Sequence, residues 1–203
     1  MVLLTGGSGL LGQELQKHLK CYAPTRMELN LESPIKPIEG VDLVIHSGAY
    51  TDVVKAETEQ DLCYEINVNG TKRISTAYKD VPLVFISSEY AISPVNYYSQ
   101  TKRLAEEYIK KNHERYLLIR CLFKPRPFPF NKAFVDQWTQ GDYVDVMAKM
   151  IAEEIKNWDK TPREVHIGTG RKTIYDLALQ TNPNVLPTQT SYVHGVKLQK
   201  DYV

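Results

Sequence analysis

The most constraining stretch is Thr5-Gly6-Gly7-Ser8-Gly9-Leu10-Leu11-Gly12, with glycines three residues apart at 6, 9 and 12. It follows the apolar run Val2 to Leu4, which reads as a buried strand. It opens onto Leu11, Leu15 and Leu19, which carry helical spacing across 10–19. A glycine-rich turn between a strand and a helix is the context in which a dinucleotide pyrophosphate is bound. Gly6 permits the tight turn, Gly9 lets backbone amides approach the phosphates, and Gly12 lets the helix pack close to the strand. The helix N-terminus then offers unpaired N–H groups to negative charge. Gly6, Ser8, Gly9, Leu10, Leu11 and Gly12 are therefore candidate cofactor-binding residues.

The rest of the chain alternates strand and helix. Predicted strands are 21–23 (stopped by Pro24), 41–46, 83–86, 116–119 and 164–167; predicted helices are 60–78, 98–111, 142–158 and 173–179. Lys124 to Phe130, KPRPFPF, is not helical, because three prolines alternate through it. It reads as a shortened lid over the substrate rather than a polyproline ligand for a partner. After Asn182-Pro183 no periodic signal is left. The alternation predicts an α/β fold with a Rossmann-type, doubly wound parallel sheet. Residues 1–123 form the expected NAD(P)-binding domain, and 124–203 a reduced substrate-binding region that partly completes the same fold.

Composition narrows the function classes. In 203 residues a net charge of +1 gives no sign of a polybasic surface for nucleic acid or membrane. The 3 cysteines are too scattered for a disulfide framework or a zinc site and suit a reducing compartment. No apolar run approaches a membrane span, and the N-terminal segment lacks the basic region of a signal peptide. A cytoplasmic protein is expected. His18, His46, His113, His166 and His194 show no paired helical spacing, and no metal site is expected. His46 ends a strand beside Ser47-Gly48-Ala49; these three residues are candidate cofactor contacts and His46 could flank them.

Tyr98 and Lys102 lie at i and i+4 and share one helix face. They follow the strand ending in Ser87-Ser88, where doubly wound folds place catalytic groups. A carbonyl that accepts hydride needs a proton at its oxygen. Tyr98 can give it, Ser88 can polarise the carbonyl, and Lys102 can lower the phenol pKa and hold the nicotinamide ribose. Tyr97 has Thr101, not lysine, four residues on. The second strand ends in Pro24-Thr25-Arg26 with no acid. Thr25 and Arg26 are thus candidate contacts to a 2′-phosphate, and NADP(H) is favoured over NAD(H).

These motifs together resemble the extended short-chain dehydrogenase/reductases, most of all the dTDP-4-dehydrorhamnose reductase family. The TGGSGLLG loop resembles that group's TGxxGxxG. Gly48-Ala49-Tyr50-Thr51 with Lys55-Ala56-Glu57 resembles AAYTxVDxAE, with Val54 in place of an acid. Asn67 to Thr71 resembles NxxGT, Ser87 to Tyr90 resembles STDY, and Tyr98 to Lys102 resembles YGRTK. Tyr143 to Val146 and Gly168 to Leu177 resemble later segments, and Thr25 to Leu31 is similar to a stretch of the NADP-dependent GDP-L-fucose synthases. Two departures concern the substrate: only ten residues separate Ser88 from Tyr98, and a short segment follows Phe123 where the family has Tyr-Gly and a substrate domain.

The resemblance implies an NADP-dependent reductase of a 4-keto-6-deoxy sugar nucleotide, its pared-down site closed by a homo-oligomer or a partner protein. Two readings stand beside it. One is a non-catalytic NADP-binding regulatory module, as in the similar β subunit of methionine adenosyltransferase. The other is a sugar-nucleotide epimerase of the same superfamily. A dehydratase is disfavoured, because the acid beside the serine is Glu89 alone.

Overall fold

The computed structural model describes residues 1–190 and 196–201. Its centre is a parallel sheet ordered β1 (Val2–Thr5), β2 (Leu43–His46), β3 (Leu83–Ser88), β4 (Tyr116–Cys121) and β9 (Arg163–His166). The predicted strand at 21–23 is reduced to a single bridge, Leu3 to Tyr22, on the outer edge of β1. Pro24 has no N–H to continue it.

Period-two alternation divides the strands between two faces. Leu4, Ile45, Val84, Ile86, Leu117 and Ile119 face one way and pack on α1 (Leu10–Leu15) and α5 (Val144–Asn157) through Leu11, Leu15, Met147 and Ile151. Leu3, Val44, Leu83, Phe85 and Leu118 face the other way, against Ile74 of α3 (Thr71–Ala77) and Ala105 and Ile109 of α4 (Tyr97–Asn112). Covering both faces requires near-continuous apolar runs, which is why these strands are the plainest in the sequence.

The predicted helix at 60–78 is three pieces: α2 (Gln60–Tyr64), a π-helical turn at Glu65–Gly70, and α3. A Cβ on Gly70 would lie 2.9 Å from the Leu31 side chain, so the missing side chain lets that loop seat against the turn. Helix α1 closes at Leu15, earlier than expected, and the chain continues to Leu19 in turns.

Beyond β4 the structure is built from short pairs. β5 (Phe123–Lys124) pairs with β8 (Asp142–Tyr143), β6 (Lys132–Phe134) with β11 (Leu186–Thr188), and β7 (Trp138–Thr139) with β10 (Lys172–Thr173). With α6 (Ile174–Leu179) they enclose a second cluster of Leu122, Phe128, Ala133, Tyr143, Ile174, Leu177 and Val185. KPRPFPF belongs to this cluster. Phe128 is buried in it, its N–H donates to Thr181 Oγ1 at 3.0 Å, and the Arg126 guanidinium stacks 4.2 Å from the Tyr143 ring centroid. The segment is thus bound by its own chain. No helix among the described residues is long and apolar enough to cross a membrane.

Candidate active site

A cleft of about 550 Å³ runs along the carboxyl ends of β1 to β4. At its centre lies the glycine loop. Gly6 has φ +72°, and a Cβ there would fall 2.6 Å from Gly48 N. One on Gly12 would meet Gly6 O at 2.2 Å, which fixes the close approach of α1 to the loop. Gly7, which the spacing argument passed over, is as constrained, since its Cβ would stand 2.5 Å from that of Ala23. Gly9 differs. A Cβ on it would meet only Gly6 O, at 3.2 Å, so the space above it is open. No side chain caps the first turn of α1 and no acid stands in it, so its amides are available to an anion.

At one end of the cleft lie Ser88, Tyr98 and Lys102. Asn96 and Ser99 form a capping box that starts α4 one residue before Tyr98, which sets the face that Tyr98 and Lys102 share. Lys102 Nζ donates to Ile86 O at 2.9 Å and lies 4.4 Å from the Phe85 ring centroid. Its burial lowers the ammonium pKa to about 8. Burial also pushes the Tyr98 phenol above its ordinary range, opposed by a side-chain hydrogen bond with Ser88. The expected depression of the phenol by Lys102 does not figure in this shift: burial sets it, and the opposing influence is the Ser88 hydrogen bond. Ser88 Oγ also accepts the Tyr90 N–H at 3.1 Å. Tyr97 is not among the cleft-lining residues.

Glu89 does not enter the cleft; it is fully buried and accepts from Thr139 Oγ1 (2.7 Å), the Gln140 N–H and His166 Nε2 (2.8 Å). It ties β3 to the 124–190 region. His46 likewise is no flanking residue. It lies fully buried between Thr5 Oγ1 (2.6 Å) and Thr71 Oγ1 (3.1 Å), and desolvation drops its pKa to about 3, leaving a neutral ring that braces β2. His194 lies outside the described residues.

At the other end stand Arg26, Asn30 and Glu32. Of the expected cofactor residues, Gly6, Ser8, Gly9, Leu10, Leu11, Gly12, Arg26, Ser47, Gly48 and Ala49 line the cleft. Thr25 does not; its N–H and hydroxyl both donate to the Glu28 carboxylate, at 2.8 and 2.9 Å. Sequence reasoning missed Glu32 and Lys124, which also line the cleft. Glu32 was hidden because it follows a strandless loop. Lys124 was hidden inside a proline-rich segment read only for its backbone. Its burial lowers the ammonium pKa, and the Glu89 charge partly restores it.

A family model described as the RmlD substrate binding domain matches residues 1–154. The chain is 27% identical over 151 residues to a dTDP-4-dehydrorhamnose reductase of Salmonella typhimurium, an alignment covering 59% of this chain and 50% of that one. It is 30% identical over 150 residues to the spore coat polysaccharide biosynthesis protein SpsK of Bacillus subtilis, covering 59% and 51%. The chain thus spans about half the length of the curated relatives it matches. Among solved structures, a dTDP-4-dehydrorhamnose reductase from Bacillus anthracis in complex with NADP superposes with TM-score 0.77 at 25% identity, covering 93% of this chain and 84% of that one. An orthologue from Clostridium acetobutylicum superposes at 0.81 and 22% identity, covering 94% and 83%, and bears out the Rossmann-type fold.

Proposed function

This chain belongs to the RmlD substrate binding domain family, and on that premise we propose that it is an NADPH-dependent reductase of a 4-keto-6-deoxy sugar nucleotide, of the dTDP-4-dehydrorhamnose reductase kind. The observation that carries the reading is one continuous cleft, with Ser88, Tyr98 and Lys102 at one end and Arg26 at the other, joined by the glycine loop. The open space above Gly9 and the uncapped first turn of α1 fit a pyrophosphate. A dinucleotide held there would supply hydride chemistry toward the C4 carbonyl carbon of the sugar. The protein's part is to deliver a proton and hold the reactants. Tyr98 stays protonated because burial disfavours its phenolate, and a general acid must begin protonated. It gives that proton to the ketone oxygen, which Ser88 also polarises. Lys102 has spent one of its three N–H donors on Ile86 O and keeps the others for the ribose.

The same reading divides the labour. Residues 1–123 hold the cofactor, and 124–203 form the substrate-binding part. Lys102 and Lys124 line the catalytic end, and the one acid among the described cleft-lining residues, Glu32, stands beside Arg26 instead. That end suits an anionic substrate, such as a sugar carrying a nucleoside diphosphate.

The test is single-turnover oxidation of NADPH, followed by absorbance, across several 4-keto-6-deoxy sugar nucleotides. Stoichiometric oxidation with one of them supports the reductase. Tight NADPH binding with no turnover of any keto sugar replaces it with the regulatory binding module.

A further inference from the structure

Glu106 is fully buried, is not among the cleft-lining residues, and stands one turn after Lys102 on the same face of α4. We propose that it is a positioning residue: it anchors α4 to β3 beside the carbonyl that holds Lys102, and its carboxylate sets a negative charge behind the ammonium that the cofactor ribose would meet. The part given to Lys102 rests on the cofactor reading above.

Successive turns of α4 grip successive residues of β3. Lys102 Nζ donates to Ile86 O at 2.9 Å, and Ser87 Oγ donates to Glu106 Oε1 at 2.5 Å. The neighbouring strand closes the junction. Arg120 of β4 stands in register with Ser87 and gives Nε to Glu106 Oε1 at 3.0 Å and Nη2 to Oε2 at 2.5 Å. The same Nη2 reaches Glu164 Oε2 at 3.0 Å, and Lys110 pairs with the other oxygen of Glu164. Arg120 is therefore shared between two carboxylates, and Glu106 keeps part of its negative charge for Lys102.

The other titratable groups near the ammonium are neutral. Burial raises the thiols of Cys121 on β4 and Cys63 on α2 and the phenol of Tyr98, and it drops the His46 ring of β2 to about 3. Glu106 is the counter-charge. Burial lowers the Lys102 pKa to about 8, and the Glu106 carboxylate opposes that fall. Without it the ammonium would be lost at a lower pH, by about one unit for a nearby opposite charge.

Calorimetric titration of the whole chain with NADPH, from about pH 6 to about pH 9, tests this without a sugar substrate. In the unaltered protein the affinity should begin to fall at about pH 8. In Glu106→Gln that limb should start about one unit lower, so affinity is nearly unchanged at about pH 6 and roughly fivefold weaker at about pH 8. Glu106→Asp keeps the charge and should bring the limb back. Ser87→Ala removes the anchoring hydroxyl but not the charge and should leave the limb in place. If Glu106→Gln does not fold, combining it with Arg120→Gln leaves no buried charge unpaired, and the same shift is required. A second readout needs no ligand. The melting-temperature difference between each protein and the same protein carrying Lys102→Met should start to change at about pH 8 when Glu106 is present, and about one unit lower in Glu106→Gln. An equal loss of affinity at every pH, or a limb and a melting difference that do not move, overturns the role of Glu106. If the unaltered protein binds no NADPH, the cofactor reading of the cleft fails, and the melting difference alone judges Glu106.

Discussion

On the proposed function, the glycine loop and the 124–190 region would hold their ligands by opposite means. In the loop, backbone does the work. Gly6, Gly7 and Gly12 each touch main chain or a β-carbon so closely that no side chain fits, and the ligand is offered amides. In 124–190, outside α5 and β9, which complete the main sheet and its core, strands of two or three residues give little ladder, and long-range side-chain contacts hold the rest: Glu89 to Thr139 and His166, Tyr143 to Leu177 and Thr181, Phe128 in the second cluster. Backbone binding demands a local and nearly invariable pattern of residues. Side-chain binding can be rebuilt with many sequences, which is the freedom a substrate site needs.

Tyr98→Phe tests this division most severely. It removes one hydroxyl at the cofactor half's catalytic end, so the fold and NADPH affinity should persist. Turnover should fall by roughly 10²–10⁴-fold, the range for a lost general acid. Single-turnover NADPH oxidation measures it, and wild-type rates in the variant would remove Tyr98 from the reaction.

Phe128→Ala asks whether the second cluster is a separate cooperative part. Phe128 is 5% exposed, and truncating a buried Phe costs roughly 3–5 kcal/mol. The loss should fall on the 124–190 region, abolishing sugar-nucleotide binding while NADPH still binds. Phe85→Ala, in the sheet core beneath Lys102, should cost both. Equal loss of the two ligands in Phe128→Ala, read by calorimetry, would merge the regions into one unit.

The same contrast governs what was legible in the sequence. β1 to β4 and α5 announce themselves because the sheet is buried on both faces and the helix shows one apolar stripe. The glycine loop is legible because backbone geometry permits few alternatives. β6, β7, β10 and β11 leave no trace; Leu186 and Pro187 are exposed, and two or three residues carry no period. Lys124 and Glu32 were invisible for another reason. Their meaning comes from neighbours that no local pattern specifies: Glu89, distant in sequence from Lys124, and Arg26, six residues before Glu32 across a loop. Thr25 is the converse, a residue of the right type whose local turn with Glu28 claims it first.

A pH titration separates binding from stability at one residue. Lys102 has a pKa of about 8 against an ordinary 10.5, so its ammonium is disfavoured by folding. The burial penalty is complete below about 8, and is relieved as pH rises from there toward 10.5. Stability from this group therefore increases over that window. The cation needed for the cofactor ribose is lost over the same window. kcat/KM for NADPH should hold steady to about pH 8 and then fall by about tenfold per unit, while this group's contribution to the melting temperature moves the other way. Lys102→Met should remove that limb, and a limb that survives in it would assign the titration elsewhere.

The mildest change addresses the junction between the two regions. Lys124 stands in β5, just beyond β4, and pairs with Tyr143 of β8, so it packs with the residues proposed to bind substrate while lining the cleft. Its one charged influence is Glu89, which is already satisfied by three donors. The ammonium is thus left to the ligand, and an anion in the cleft would regain for it the charge stabilisation that burial removes. Lys124→Ala should raise KM for the sugar nucleotide by about tenfold, the lower range for a hydrogen bond to a charged group, with kcat and NADPH affinity little changed. Lys124→Arg should recover much of the loss, because charge rather than shape is at issue. If Lys124→Ala weakens NADPH and leaves the sugar nucleotide untouched, Lys124 serves the cofactor. The boundary between the backbone-built and side-chain-built halves would then lie beyond β5, not at the end of β4.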